Sequence, residues 1–571
     1  MPLVSRLPSP SRTFLPLLGL VFCACAHQAP AGSRARPQVV VAVVVDQLAA
    51  WVADERLSLL PPSGGFARLR REGVYVRDMR YAHSATETGP GHAALYTGCA
   101  PWKSGIFSNY VMRPGGEDVP LLLDSQTDEL IPSGAVTRPS FSLAHLTCET
   151  VADRLRAAAP QSWIVSLSFK DRAALLPGGT HSDASLWFDI TLDTFATSSA
   201  VAPAFPHWAA LLAGHDAVAR ARPAQWDLLD PAFVKAHALT PDDAPGESNF
   251  QGMGTVFPHP IKNPGIGAAF RATPFADAFL LQLGTQALAA DPSPDQPALL
   301  ELSLSSNDLI GHAFGPESWE AWDELLRLDR SLGSFMERLD AAYGPDGWSM
   351  VLSADHGVTV LPESAEAGAW CAPGVRNAWQ LPCKRGTRIP VAPLLLRLRI
   401  ATELALGKGD WVVGISPPYV VLTAEARALT GPKRERLQQA VHLVLEAQPG
   451  IAQVFETRDL PSPCPGEDDD SIAALVCRSV VPGQGGDEYV VTQSGSFFDP
   501  HGTPEHGADH GSPYLYDRSV PLLARIPGKL PRGRVIDGPL PFETFARTLA
   551  TALGVDFPAA DRGADLTVRS P

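Results

Sequence analysis

No stretch of this chain reaches the roughly 20 uncharged apolar residues that a bilayer span requires, so no integral membrane domain is expected. No long Lys/Arg stripe is present either: 46 basic against 61 acidic side chains leave a formal charge of −15. A sequence-independent nucleic-acid binder needs a basic groove, so that class is disfavoured, and any anionic substrate must be held by local charges. Internal repeats are absent, which removes solenoid and propeller architectures. Cysteine is scarce, eight in 571 residues, and none shows the tight spacing of a zinc knuckle.

What is present is an ordinary globular composition, 45% hydrophobic and 19% charged, in a chain too long to be one minimal domain. The 54 prolines and 48 glycines are scattered among apolar segments and indicate ordered loops, not disorder. At the start, Arg6 and Arg12 precede an apolar stretch from Phe14 to Phe22 and then small residues around Cys23 and Cys25. That order reads as an export signal at 1–26, followed by a Pro/Arg linker at 27–37. Cleavage by Ala26 and lipidation of Cys25 are the two processing alternatives. Outside the signal remain Cys99, Cys148, Cys371, Cys383, Cys464 and Cys477, an even set that points to disulfides in an exported chain, periplasmic or secreted. The close pairs Cys371/Cys383 and Cys464/Cys477 flank loops, and Cys99/Cys148 follows by elimination.

Three apolar runs end in metal-ligand chemistry. Asp46 closes the run Val39 to Val45, Asp308 and His312 follow Ala298 to Leu304, and Asp355 and His356 follow Ser349 to Ser353. Continuous β-branched runs suit strands covered on both faces, hence a parallel sheet, and an open α/β sheet gathers its ligand-binding residues at the carboxyl ends of its strands. Further strands are expected at Trp163 to Phe169 and Pro521 to Ile526, and an amphipathic helix at Trp319 to Leu339. The Ala-, Pro- and Trp-rich interval 193–264 reads as a helical and loop insertion. From 361 to 496 the pattern changes to a small α+β lobe: strands at Trp411 to Ile415, Tyr419 to Leu422 and Ile451 to Phe455, and a helix at Lys433 to Glu446. The core then comprises 38–360 and 497–571.

Four ordered motifs carry a family likeness: TGPGHAALYTG at 88–98, SNDLIGHAFGP at 306–316, SADHG at 353–357 and HGSPYLYD at 510–517. Together they resemble the nucleophile turn and metal motifs of the alkaline phosphatase superfamily, and within it the type I phosphodiesterase/nucleotide pyrophosphatase group. The likeness is greatest to bacterial phosphate-irrepressible alkaline phosphatases that use threonine as nucleophile. It implies an α/β/α sandwich with a mostly parallel sheet, and an enzyme that hydrolyses small-molecule phosphate monoesters through a phosphothreonine intermediate. Thr88 is the implied nucleophile. One metal would be held by Asp308, His312 and His510, the other by Asp46, Asp355, His356 and the Thr88 oxygen. Mixed imidazole and carboxylate ligation suits zinc, and two zinc ions are expected.

Asn109 resembles the family's phosphoryl-oxygen donor. Lys170 and Arg172, read as two apart on one extended segment, resemble the pair that answers the extra charge of a monoester dianion; Lys170 also stands in for a third, magnesium site. His501 and His506 rival His510 by spacing alone, and only the residues after His510 favour it. His92 reads as a packed residue or one supporting the ligands, not as a ligand. Rival functions are a phosphodiesterase or nucleotide pyrophosphatase on the same scaffold, a phosphonate hydrolase, and a non-catalytic, metal-stabilised binding protein. A sulfatase is disfavoured because the nucleophile position is threonine.

Overall fold

The computed structural model describes residues 39–261, 266–291, 293, 295–499 and 507–568. The expected export signal, linker and Cys25 lie outside these residues, as do His501 and His506.

Strands β1 (Val39–Val45), β2 (Val74–Arg80), β3 (Leu123–Ile131), β4 (Gly134–Phe141), β5 (Trp163–Ser168), β6 (Ala184–Asp189), β7 (Thr194–Ser198), β8 (Ala298–Leu304) and β9 (Trp348–Ser353) belong to one twelve-stranded sheet. Its middle runs β9-β1-β8-β5-β6 with every neighbour parallel. β1 lies at the heart of it, all seven residues buried, which is why its sequence shows no polar alternation. The flanks depart from the parallel expectation. The late strand Ser519–Arg525 inserts antiparallel between β9 and β2, and on the other side β7, β3 and β4 follow β6 in that order, each antiparallel to the one before. β7 lies inside the interval read as an insertion, whose remainder carries short helices and a two-stranded ribbon, Gln225–Trp226 with His259–Pro260.

Helices fill both faces. The helix Trp319–Tyr343 starts where the Ser318 hydroxyl accepts a bond from the Ala321 N–H, 3.1 Å, and ends at Gly344, φ 79°. Its Leu325, Leu332, Phe335 and Leu339 join the core beneath the sheet, and Trp322 packs against Phe233 and His237.

A second, four-stranded sheet is formed by β10 (Val412–Ser416), β11 (Tyr419–Leu422), β12 (Ile451–Glu456) and β13 (Glu488–Thr492), in the antiparallel order β10-β11-β13-β12. Helices Val391–Leu406 and Gly431–Glu446 cover one face through Leu394, Leu398, Leu437 and Val441. The opposite face sends Tyr419, Tyr489 and Val491 into a cluster with Ala93, Phe107 and Leu175 of the main body. Disulfides join Cys99 to Cys148, Cys371 to Cys383 and Cys464 to Cys477, the three pairings expected, and they fit an oxidising compartment. Among the described residues no helix is long and apolar enough to cross a membrane.

Candidate active site

Strand register brings the separated motifs to one level. Val45 pairs with Leu304, Val44 with Ser353, and Ser303 with Ser168, so the residues leaving β1, β8, β9 and β5 emerge side by side. Asp46 follows β1 directly, Asp355 and His356 leave β9, and Lys170 leaves β5. Asp308 and His312 lie one turn apart on the helix Ser306–Phe314 that continues from β8. His510 arrives on a loop.

Two groups of ligand atoms form there, Asp46 with Asp355 and His356, and Asp308 with His312 and His510; within each the atoms lie within 4.8 Å of one another. All three histidines point the same way chemically. Nδ1 of His312 is 3.0 Å from the Ala508 carbonyl, Nδ1 of His356 is 3.0 Å from the Gly357 carbonyl, and Nδ1 of His510 is 2.6 Å from the Thr86 carbonyl. A carbonyl only accepts, so each Nδ1 carries a proton and each Nε2 faces inward, where loss of its own proton would let it bind a cation. The Nε2 atoms of His312 and His510 face each other at 3.2 Å. Asp46 Oδ1 and His356 Nε2 are buried without hydrogen-bond partners. Imidazole nitrogens and carboxylate oxygens converging on two points fit divalent cations, and the carbonyls that anchor the imidazoles supply the outer support such ligands use.

Electrostatics agree. Burial pushes the Asp46 carboxyl well above the usual range, reinforced by Asp355, and burial pushes His510 well below, reinforced by His356 and His312. Burial acts against ionised Asp308 too, yet His312 and Lys170 outweigh it and hold that carboxyl far down.

Thr88 opens the helix Thr88–Thr97 and is 1% exposed. Its Oγ1 receives Lys170 Nζ at 3.2 Å and Arg172 Nη2 at 3.4 Å. Lys170 Nζ also donates to Asp46 Oδ2 and Asp308 Oδ2, both at 2.6 Å, so one ammonium bridges the two groups. Lys170 and Arg172 do not share an extended segment, however. β5 ends at Ser168 and a helix begins at Asp171, leaving Lys170 as its N-cap and Arg172 in its first turn. They converge because the chain bends between them. Asn109 approaches from the far side of Thr88, its Oδ1 accepting the Gly89 N–H at 2.8 Å.

The sequence pattern that defines the type I phosphodiesterase / nucleotide pyrophosphatase family matches residues 40–476. The chain belongs to this family. Among curated relatives it is 28% identical to alkaline phosphatase PhoK of Sphingomonas sp over 85% of this chain and 83% of that one. It is 31% identical to alkaline phosphatase PhoV of Synechococcus elongatus over 60% and 65%, and 26% identical to alkaline phosphatase PafA of Elizabethkingia meningoseptica over 93% and 94%. The crystal structure of wild-type PafA superposes with a TM-score of 0.76 at 23% identity, covering 91% of this chain and 96% of that one, and so has the same fold.

This family member also carries site residues that the sequence did not single out. Gln47, at φ 68°, donates from Nε2 to Asp308 Oδ1 at 2.7 Å and from its main-chain N–H to Asp355 Oδ1 at 3.2 Å, linking both groups. Asn307 Nδ2 holds the Asp46 carbonyl at 2.7 Å. Their positions beside Asp46 and Asp308 were the available signal. His92, read as a packed or supporting residue and not a ligand, is buried with Nδ1 2.8 Å from the Thr88 carbonyl and 3.1 Å from Asp355 Oδ2. A third cluster, His442 with Glu456 and Glu488, forms on the second sheet. Arg434 and Arg458 already bond Glu456 Oε2 at 3.0 and 3.1 Å, which marks an ion-pair network.

A cleft of about 500 Å³ opens over the site. Asn109, His312, His510 and Glu87 line its floor side, and Ser416, Pro417, Val490 and Phe498 line the wall towards the second sheet.

Proposed function

We propose that this chain is an alkaline phosphatase, a metal-dependent phosphate-monoester hydrolase working through a phosphothreonine intermediate. The observation that carries the reading is the Thr88 hydroxyl at a helix start, hydrogen-bonded by Lys170 and Arg172 and flanked by two cation-binding groups. Its relatives PhoK, PhoV and PafA are named alkaline phosphatases, which supports it. A solved variant of PafA replaces a threonine, an asparagine, a lysine and an arginine, in the order of Thr88, Asn109, Lys170 and Arg172 here, which supports treating these four as a unit.

Two zinc ions are assigned, one to Asp308, His312 and His510, the other to Asp46, Asp355 and His356 beside Thr88. Bound there, they supply Lewis-acid stabilisation to the entering and departing oxygens. The chain's own groups do the rest. Lys170 stays protonated, because Asp308 and Asp46 outweigh the burial that opposes its charge, and with Arg172 it stabilises Thr88 Oγ as an oxyanion. The Thr88 oxygen bonds to phosphorus as the ester oxygen leaves with the bonding pair and takes a proton from solvent. Water then attacks the phosphothreonine, returning the Thr88 oxygen and releasing phosphate. The Asn109 amide binds a phosphoryl oxygen. Lys170 and Arg172 place two positive charges where a monoester dianion carries more negative charge than a diester, hence the monoesterase assignment.

The lobe at 361–496 is read as an insertion that roofs the cleft, and the part of 193–264 that follows β7 as a cover over the sheet. Residues 1–26 are read as an export signal to the periplasm or exterior, with Cys25 as the alternative lipid anchor; the mass of the mature N-terminus distinguishes these.

The second reading, a phosphodiesterase or nucleotide pyrophosphatase, is favoured by the family's own description. Steady-state rates on p-nitrophenyl phosphate and bis(p-nitrophenyl) phosphate decide between them. The monoester should be preferred, and Lys170→Ala should cost roughly 10²-fold on it and far less on the diester. A diester preference left intact by Lys170→Ala overturns the assignment.

A further inference from the structure

Glu87 is an acid in the wrong place for a phosphatase unless it does something. It precedes Thr88 and lines the cleft where a phosphoryl dianion would sit. An ionised carboxylate there would repel that dianion. Its hydrogen bonds suggest the compensation. Oε2 accepts the main-chain N–H of Asn109 at 2.8 Å and faces the Ser108 hydroxyl at 3.3 Å. Two residues on, the Gly89 N–H donates to Asn109 Oδ1 at 2.8 Å. The turn 108–109 is thus tied at its backbone and its side chain to 87–89, across the nucleophile between them.

Those bonds also orient the amide. Only the oxygen of Asn109 can accept the Gly89 N–H, so Oδ1 faces the helix start and the NH₂ turns away from it. Gly89 permits this contact, since a Cβ there would lie 3.1 Å from Asn109 Oδ1. Nothing else among the recorded bonds of the described residues holds the Asn109 main-chain N–H.

We propose that Glu87 is a positioning residue that fixes the Ser108–Asn109 turn so that the Asn109 amide meets the transferred phosphoryl group. The proposal rests on the reading of Asn109 as a phosphoryl donor. Displacing such a donor by a fraction of an ångström weakens an interaction made in the transition state, so Glu87 acts on rate through Asn109 without touching substrate.

A double-mutant cycle on zinc-loaded enzyme tests it, with kcat and KM on p-nitrophenyl phosphate and competitive inhibition by inorganic phosphate as readouts. Asn109→Ala alone should cost roughly 10²-fold in kcat/KM. Glu87→Ala should cost about 10-fold in the native background and close to nothing in the Asn109→Ala background, because contacting residues are coupled. Glu87→Gln, which keeps a carbonyl acceptor for the Asn109 N–H, should recover most of the loss. Equal losses from Glu87→Ala in both backgrounds, or no loss in either, overturn the positioning role. A silent Asn109→Ala with an active enzyme removes the donor reading and this proposal with it, leaving the phosphatase assignment to the substrate panel. Should Glu87→Ala fail to fold, Glu87→Asp, whose shorter side chain withdraws from the Asn109 N–H, takes its place in the cycle with Asn109→Ala, and equal losses in both backgrounds overturn the positioning role.

Discussion

The two groups of side chains that could each hold a cation are made from the same residue types by different means. Asp46, Asp355 and His356 are fully buried, and each stands at or just past the end of a central parallel strand. Asp308, His312 and His510 come from a nine-residue helix and a loop, with the His312 side chain 34% exposed. Strand register fixes the first group. The second is held by side-chain bonds to carbonyls across chain segments, His312 to Ala508 and His510 to Thr86. A group positioned by a sheet resists water and rearrangement; one hung from a helix and a loop can admit a replacement ligand.

The largest effect should come from the deep group. His356→Ala leaves Asp46 and Asp355 facing a dry gap, so phosphatase kcat should fall roughly 10³-fold and stay down in excess zinc. Turnover restored by added zinc would show that the deep group is no more rigid than the other. His312→Ala opens a position already near solvent, where water can complete the ligand set. A loss of roughly 10²-fold, partly recovered as zinc is raised, is expected in a zinc titration of activity. If excess zinc recovers nothing in His312→Ala, the contrast between the groups fails at the rim.

The same contrast governs what could be read from the sequence. Unbroken apolar runs such as Val39–Val45 and Ala298–Leu304 announce buried parallel strands, and polar residues at their exits announce a site, because a doubly covered strand has no other reason to end that way. The deep group was therefore legible in Asp46, Asp355 and His356. At the rim only motif likeness separated His510 from its neighbours, since a loop's course depends on tertiary contacts with no local signature. The edge hairpin β3–β4 escaped notice because Leu123–Ile131 is largely polar and interrupted by register shifts, lacking the alternation that marks a half-buried strand. Lys170 and Arg172 stand at a helix start and not on the extended segment expected of them. That helix packs against the helix Thr88–Thr97 through Ala174 and Leu175, which a short apolar segment does not reveal by itself. Gln47 owes its role to a left-handed φ of 68° that its sequence context does not signal.

Two glycines give the contrast its smallest and sharpest form. A Cβ on Gly91 would lie 2.1 Å from the Asp355 carbonyl oxygen, a backbone atom of the deep group that cannot move without its strand. A Cβ on Gly311 would meet the far end of the Gln47 side chain at 2.0 Å, and that amide can swing aside. Gly91→Ala should therefore destabilise the fold by about 1–3 kcal/mol, visible as a lower Tm, and should depress kcat by shifting Asp355. Gly311→Ala should cost under about 1 kcal/mol, its effect confined to weaker zinc retention as Gln47 releases Asp308. Equal Tm losses in the two variants would mean that the helix carrying Asp308 and His312 is as tightly held as the strand exits, and the difference between the groups would then lie in solvent access alone.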